Sequence, residues 1–189
     1  MIANHRYGAN VGCQLLFIPR SAIFLLFLAG FMPANRITAF EVEPARKLPA
    51  VYVFLNTECP ISQQYARRLS VLSRQYASSV RFVALFPSKT DTPRLIRQFR
   101  TDCGLVFSGK SDVGAKLARQ LRARVTPEVV LLDTTGRIRY RGAIDDWYVA
   151  LGKHRSDATE YYLHNALNAL MAGNEVTVRE TEAVGCLIE

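Results

Sequence analysis

Apolar and polar positions along the chain follow two different periods, and the places where the period changes mark its elements. Val51 to Leu55 is an unbroken apolar, β-branched and aromatic run, the pattern of a strand buried on both faces. Pro60 then opens a helical pattern in which Ile61, Tyr65, Leu69, Leu72 and Tyr76 recur at spacings of four and three, with Arg67, Arg68 and Arg74 between them. Val80 to Phe86 predicts a second strand. Leu95, Ile96 and Phe99 predict a helix whose start is marked by Asp91, Thr92 and Pro93 and whose end is marked by Gly104. Leu105 to Phe107 suggests a short strand, and Ser111 or Asp112 a cap for a third helix carrying Val113, Leu117 and Leu121.

The second half continues the alternation. Val129 to Leu132 reads as another buried strand. The turn signal Thr134-Thr135-Gly136 and the alternating run Arg137 to Arg141 predict a hairpin with one solvated face. Asp157 and Glu160 bracket the start of a last helix with Leu163, Leu167 and Leu170 on its core face, closed by Gly173. The order is β-α-β-α, a short element, α, a hairpin and a closing helix, without internal repeat. It predicts an α/β fold with a central mixed sheet flanked by helices on both faces.

The first forty residues follow neither period. Behind Arg20 runs the apolar block Ala22 to Met32, then Pro33, small residues at Ala34 and Ala39, and the acidic Glu41 and Glu43. Basic, apolar, then small is the order of a secretory signal, and the block is shorter than the roughly 20 apolar residues that span a bilayer. The sequence therefore divides into a signal peptide at 1–39, a charged linker at 40–47, a domain at 48–173 and a polar C-terminal tail at 174–189. Cleavage is expected after Ala34 or Ala39. The chain is expected to be exported, periplasmic or extracytoplasmic, touching a membrane only through an uncleaved signal segment.

Composition narrows the class. With 189 residues, 49% hydrophobic, and only 11 Gly, 8 Pro and 4 Cys, the chain is neither collagen-like, nor disordered, nor a disulfide-stapled miniature. Lys and Arg exceed Asp and Glu by 24 to 16, a formal charge of +8. Three of the arginines, Arg6, Arg20 and Arg36, lie in the targeting segment, which holds no acid. Arg94, Arg97, Arg100, Lys110, Lys116, Arg119, Arg122 and Arg124 fall on predicted helix exteriors without an aromatic platform or a nucleic-acid motif, so the excess reads as solvated surface and no nucleic-acid partner is expected.

Chemistry concentrates where the first strand meets the first helix, at Thr57-Glu58-Cys59-Pro60-Ile61-Ser62. Cys59 falls at the N-cap and Pro60 at the first helical position, where a missing N–H costs nothing. A thiol there meets unpaired backbone N–H groups and the positive end of the helix dipole, which favours thiolate and lowers the pKa. The sequence thus predicts a nucleophile directed at solvent, with the Ser62 hydroxyl one turn on as a donor to it. The bland alternative is a small buried cysteine.

The strand, Cys59-Pro60-Ile61-Ser62 at a helix start and the later Val125-Thr126-Pro127 before a strand resemble the thioredoxin fold. That resemblance implies a cis-proline at Pro127 facing the cysteine, with Thr57, Pro60, Thr126 and Pro127 shaping the substrate groove. The segments T-E-C-P-I-S, T-P-E-V-V-L-L-D, Y-R-G-A-I-D-D and T-E-A-V-G-C are further similar to an exported redoxin group of thioredoxin-like and peroxiredoxin-like (AhpC/TSA) proteins. Two departures stand out. Ser62 replaces the second cysteine of C-x-x-C, and the peroxiredoxin positions three and seven before the cysteine hold Asn56 and Tyr52. Arg141 is the candidate cation for the thiolate.

Once the presequence, with Cys13 and His5, is set aside, Cys59, Cys103 and Cys186 remain, and an odd count in an exported protein implies a free or reactive thiol. Cys103 reads as structural. Cys186 sits in a tail able to fold back on Cys59 and supply the resolving thiol that Ser62 cannot; otherwise it pairs elsewhere or stays free. His154 and His164 lie in no ligand cluster, so no metal site is expected. Asp145 and Asp146 read as solvated or capping, and Trp147 and Tyr148 as packing residues. The expectation is a thiol oxidoreductase acting through Cys59 on a disulfide-bearing protein or a peroxide, restored by an external thiol reductant and needing no tightly bound cofactor. The alternative is a non-catalytic thioredoxin-like binding module, or a copper carrier, serving a redox partner.

Overall fold

The computed structural model describes residues 47–189. The expected targeting segment and nearly all of the expected linker lie outside them, and no helix among the described residues is long and apolar enough to cross a membrane.

The elements run β1 (Ala50–Phe54), α1 (Pro60–Gln75), β2 (Arg81–Phe86), α2 (Pro93–Asp102), β3 (Ser108–Ser111), α3 (Lys116–Leu121), β4 (Val125–Thr126), β5 (Glu128–Leu132), β6 (Ile138–Gly142), β7 (Tyr148–Ala150), β8 (Lys153–His154), α4 (Tyr162–Met171) and β9 (Cys186–Leu187). Five strands form one sheet in the order β3-β2-β1-β5-β6. β1 lies parallel to β2 and antiparallel to β5, so the sheet is mixed as the sequence pattern requires.

The period of two sorts side chains between two cores. Val51, Val53, Phe82, Ala84, Phe86, Val129 and Leu131 face one side, where Ile61, Tyr65 and Leu69 of α1, Ile96 and Phe99 of α2, and Leu163 and Leu167 of α4 cover them. Phe54, Val83, Leu85 and Val130 face the other, against Ala118 and Leu121 of α3. Helices therefore flank both faces, and the central strands read as continuous apolar runs because each of their faces is buried.

Three expectations are corrected. The short strand lies three residues later than Leu105 to Phe107, at the polar Ser108–Ser111. It is an edge strand with one partner, β2, and mostly exposed side chains, so it carries no apolar signature; Leu105 and Phe107 instead pack the connection onto the main core. In α3 the buried residues are Ala118 and Leu121, while Val113 and Leu117 are exposed. Asp112 serves the N-terminus from a distance, its carboxylate accepting from the N–H groups of Leu117 and Ala118 at 3.0 and 2.9 Å. The closing helix starts at Tyr162, after Asp157 and Glu160, because Asp157 accepts from Ala158 N–H and pairs with Arg68.

Residues 174–189 are more than a polar tail. Val176 is buried at 4% exposure, Arg141 N–H donates to the Arg179 carbonyl at 3.0 Å, and Thr181 N–H donates to the Arg141 carbonyl at 3.1 Å. The segment then crosses to β4, where β9 pairs antiparallel, Val125 opposite Leu187 and Thr126 opposite Cys186. β4 and β9 form a separate two-stranded sheet beside the head of α1.

Candidate active site at the head of α1

β1 delivers the chain to the site and α1 receives it. Between them Asn56 to Glu58 form a turn held from several sides. Asn56 N–H donates to Ser62 Oγ at 3.3 Å, Glu58 N–H donates to Asn56 Oδ1 at 2.7 Å, and the Gln63 amide donates to the Thr57 carbonyl at 2.8 Å. Asp91, at the head of α2, takes both Thr57 N–H and Thr57 Oγ1–H on one carboxylate oxygen, at 3.0 and 2.5 Å. Burial raises the Asp91 pKa, partly offset by those two bonds, and its other oxygen is buried without a partner. Sequence reading placed Asp91 only as a helix start; its grip on the cysteine loop arises from the tertiary approach of α2.

Cys59 is the N-cap of α1, in extended conformation, and Pro60 is the first helical residue. Contrary to the expectation of a thiol facing water, Cys59 is only 2% exposed, because the C-terminal segment lies across it. The Cys59 thiol donates to the Thr126 carbonyl at 3.2 Å, and the Cys186 thiol donates to the Cys59 sulfur at 2.9 Å, across 127 residues of sequence. Both cysteines are free. The Thr126–Pro127 peptide is cis. Ser62 is fully buried beneath the sulfur.

Cys59, Ser62, Cys186, Thr126 and Pro127 thus come together, with Thr57 and Pro60 in the loop and first turn that carry Cys59. Cys103 stays apart, half-buried at the end of α2 against the core, where burial and the neighbouring Asp102 push its thiol up.

The electrostatics separate the two facing thiols. Burial alone would raise Cys59, but the hydrogen bond from Cys186, the N–H and hydroxyl of Ser62 and the N–H of Ile61 together bring it below the ordinary thiol value. Cys186 moves the other way, pushed up to about 11 by burial, by its hydrogen bond to Cys59 and by the negative charge of the Cys59 thiolate. The opposite displacements favour ionisation at Cys59 before Cys186.

β4 and the C-terminal segment hold their own positions through groups invisible to periodicity. The buried Glu128 carboxylate accepts from Arg124 and Val125 N–H at 2.6 and 3.1 Å, closing the turn before Thr126. Thr181 Oγ1 meets Tyr140 OH at 2.5 Å and accepts from Ala143 N–H at 3.0 Å. Its carbonyl lies over Gly142, at φ 137°, where any Cβ would collide with it. Arg141, the candidate cation for the thiolate, instead forms an ion pair with Glu180 in this segment. Beside the pair runs a groove of about 480 Å³ lined by Asn56, Glu58, Lys89, Thr126, Leu187 and Glu189 among others.

The two acidic residues after the hairpin divide. Asp145 is buried, not solvated: it accepts from Tyr65 OH and from Trp147 N–H at 3.0 Å, and burial raises its pKa. Asp146 caps the following turn, where the Glu160 N–H and then the Thr159 hydroxyl and N–H hold its carboxyl down at about 2. Trp147 and Tyr148 are packing residues as expected, the first edge-on to Tyr65 and the second tilted against it. No group of three or more metal-ligating side chains occurs among the described residues.

No family profile matches this chain, and no curated protein does. Solved structures do. A hypothetical protein of Sinorhizobium meliloti 1021 is similar with a TM-score of 0.67 at 23% identity, over 76% of this chain and 80% of its own. An uncharacterized conserved protein of Geobacillus kaustophilus gives a TM-score of 0.65 at 23% identity, over 76% and 77%. A thioredoxin-like protein solved in its oxidized form gives 0.52 at 16% identity, over 68% and 81%. The likeness is one of fold: the α/β architecture expected from the sequence is thioredoxin-like.

Proposed function

We propose that this chain is an exported thiol–disulfide oxidoreductase in which Cys59 is the nucleophile and Cys186 the resolving thiol. The observation that carries the reading is the 2.9 Å approach of the two sulfurs, brought about by the pairing of β9 with β4 beside the cysteine loop. Their opposite pKa displacements divide the labour, since the thiolate is the reactive form. Export is supported by the signal-like order of the first 39 residues.

In the first step the Cys59 thiolate attacks one sulfur of a substrate disulfide. A Cys59–substrate bond forms, the substrate S–S bond breaks, and the departing thiolate takes a proton. Cys59 then no longer carries the charge that held the proton on Cys186. Cys186 attacks the Cys59 sulfur and its proton passes to the departing substrate sulfur, so that the Cys59–Cys186 bond forms, the Cys59–substrate bond breaks and the second substrate thiol is released. The substrate is reduced by two electrons and the cysteine pair is oxidised; an external dithiol reverses the oxidation. Ser62 supports the thiolate by donation, and Thr126 and Pro127 form the wall facing the sulfur. The same thiolate is chemically able to attack a peroxide, the reaction suggested by the AhpC/TSA resemblance, but Arg141 is engaged by Glu180 and the motif positions before the cysteine hold Asn56 and Tyr52. Disulfide exchange is therefore the reading adopted.

Turnover of a protein disulfide such as insulin with a dithiol reductant, beside peroxide consumption, tests it. The wild type is expected to reduce insulin and Cys59→Ser to lose the activity. A wild-type chain inert in both assays would favour the alternative of a thioredoxin-like binding module.

A further inference from the structure

The pair that makes the site attractive also closes it. With Cys59 at 2% exposure, no protein disulfide can align with its sulfur while the C-terminal segment lies in place. That segment has two unequal halves. Up to Thr181 it is fixed: Thr181 meets the fully buried Tyr140 and the Ala143 N–H, and its carbonyl sits over Gly142. Beyond Thr181 it is held by the short β9 ladder, by Ile188 N–H to the Arg124 carbonyl at 2.9 Å, by Thr126 Oγ1–H to the Cys186 carbonyl at 3.4 Å and by the Cys186 thiol on the Cys59 sulfur, and Leu187 is 82% exposed. Short, exposed ladders belong to the least stable parts of a fold and open locally without global unfolding.

One residue decides how closely this half can shut. Gly185 packs against the Thr126 carbonyl, the same oxygen that accepts from the Cys59 thiol, and a Cβ at position 185 would lie inside the contact distance of that carbonyl and its carbon. The obstacle is backbone on both sides, so it cannot be relieved by turning a side chain.

We propose that residues 182–189 form a gate over Cys59, hinged just past Thr181 and latched by β9 on β4, with Gly185 the positioning residue that lets it shut. The inference rests on the thiol-exchange reading and gives it a substrate class: the open gate admits a disulfide carried on a polypeptide, and the closed gate brings Cys186 back for resolution. The closed gate also shields the Cys59 thiolate between encounters.

The test uses the full chain with Cys186→Ser, which removes resolution while leaving the strand. Alkylation of Cys59 by a bulky maleimide is followed by mass at Cys59, and rates are compared on the high-pH plateau, where differences in thiol pKa drop out. Adding Gly185→Ala is expected to raise the plateau rate by about tenfold or more, and Ile188→Pro, which removes one latch bond, to raise it less. Equal plateau rates in all three proteins would overturn the gate. Should Gly185→Ala fail to fold, Ile188→Pro decides alone. The reading beneath is scored separately by oxidising the chain with its native cysteines. A Cys59–Cys186 disulfide together with unchanged alkylation sinks the gate only; faster alkylation without that disulfide sinks the exchange reading only.

Discussion

Cys59 and Cys186 meet at one point and are held there by different means. Cys59 stands at the head of a helix whose face, Ile61, Tyr65 and Leu69, is locked into the main core, and its loop is fixed by Asp91, Ser62 and Gln63. Cys186 stands on a two-residue strand at the chain end, next to an exposed leucine. The contrast suits a reaction in which one sulfur must keep its place while its partner leaves and returns. A nucleophile needs fixed donors to stay ionised, whereas a resolving thiol held as rigidly would never make room for substrate.

The sharpest break of this comparison is at Cys59, the proposed nucleophile. Cys59→Ser is expected to reduce exchange to the level of the reductant alone while leaving the thermal transition near that of the wild type. A retained activity would move the chemistry elsewhere. Next in size is the core beneath it. Leu69 is fully buried in α1, so Leu69→Ala is expected to lower unfolding stability by ~2–5 kcal/mol in denaturant titration, whereas Gly185→Ala, whose clash with the Thr126 carbonyl is relieved by opening the segment beyond Thr181, should shift it by less than about 1 kcal/mol. Equal losses would mean that the C-terminal segment is part of the cooperative core.

Removing the partner thiol sharpens the electrostatic side. Cys186→Ala deletes the hydrogen bond that helps bring Cys59 below the ordinary thiol value, so the Cys59 pKa, read from iodoacetamide rate against pH, is expected to rise. An unchanged value would place the whole effect in Ser62, Ile61 and the helix terminus.

The smallest effect concerns Asp91. Burial raises its pKa in the folded protein, so the folded form retains the proton at a pH where the unfolded chain has released it. That contribution to stability is full below the unfolded value of about 3.9 and is lost as pH rises through the raised folded value. Asp91→Asn is expected to remove this segment of the pH dependence, seen as the difference between wild-type and variant unfolding free energies across the acid range. Two curves that stay parallel would show that Asp91 does not titrate as its burial demands.

The two halves of the site also differ in how far they could be read from the chain. Cys59, Pro60 and Ser62 were legible because an N-cap is a local arrangement, and their spacing is their geometry. Thr126 and Pro127 were visible only through resemblance. Cys186 enters through an odd cysteine count and a terminal tail able to fold back on Cys59, which suggests that pairing but leaves open that Cys186 pairs elsewhere or stays free. Asp91, Glu128, Thr181 and Gly185 had no signal of function, since each acts on backbone that is distant in sequence or on a turn that only the fold creates. The fold shows the same split: strands buried on both faces and the long helix were plain, while β3 was misplaced because a polar edge strand obeys no apolar period, and α3 was turned because its contact with the sheet is made by alanine.

Mass mapping of a non-reduced digest after mild oxidation addresses the central claim most directly. The account predicts a Cys59–Cys186 peptide as the main disulfide in the wild type, and a trapped substrate–Cys59 disulfide in Cys186→Ser. Absence of any Cys59–Cys186 peptide, with Cys186→Ser turning over at the wild-type rate, would contradict it.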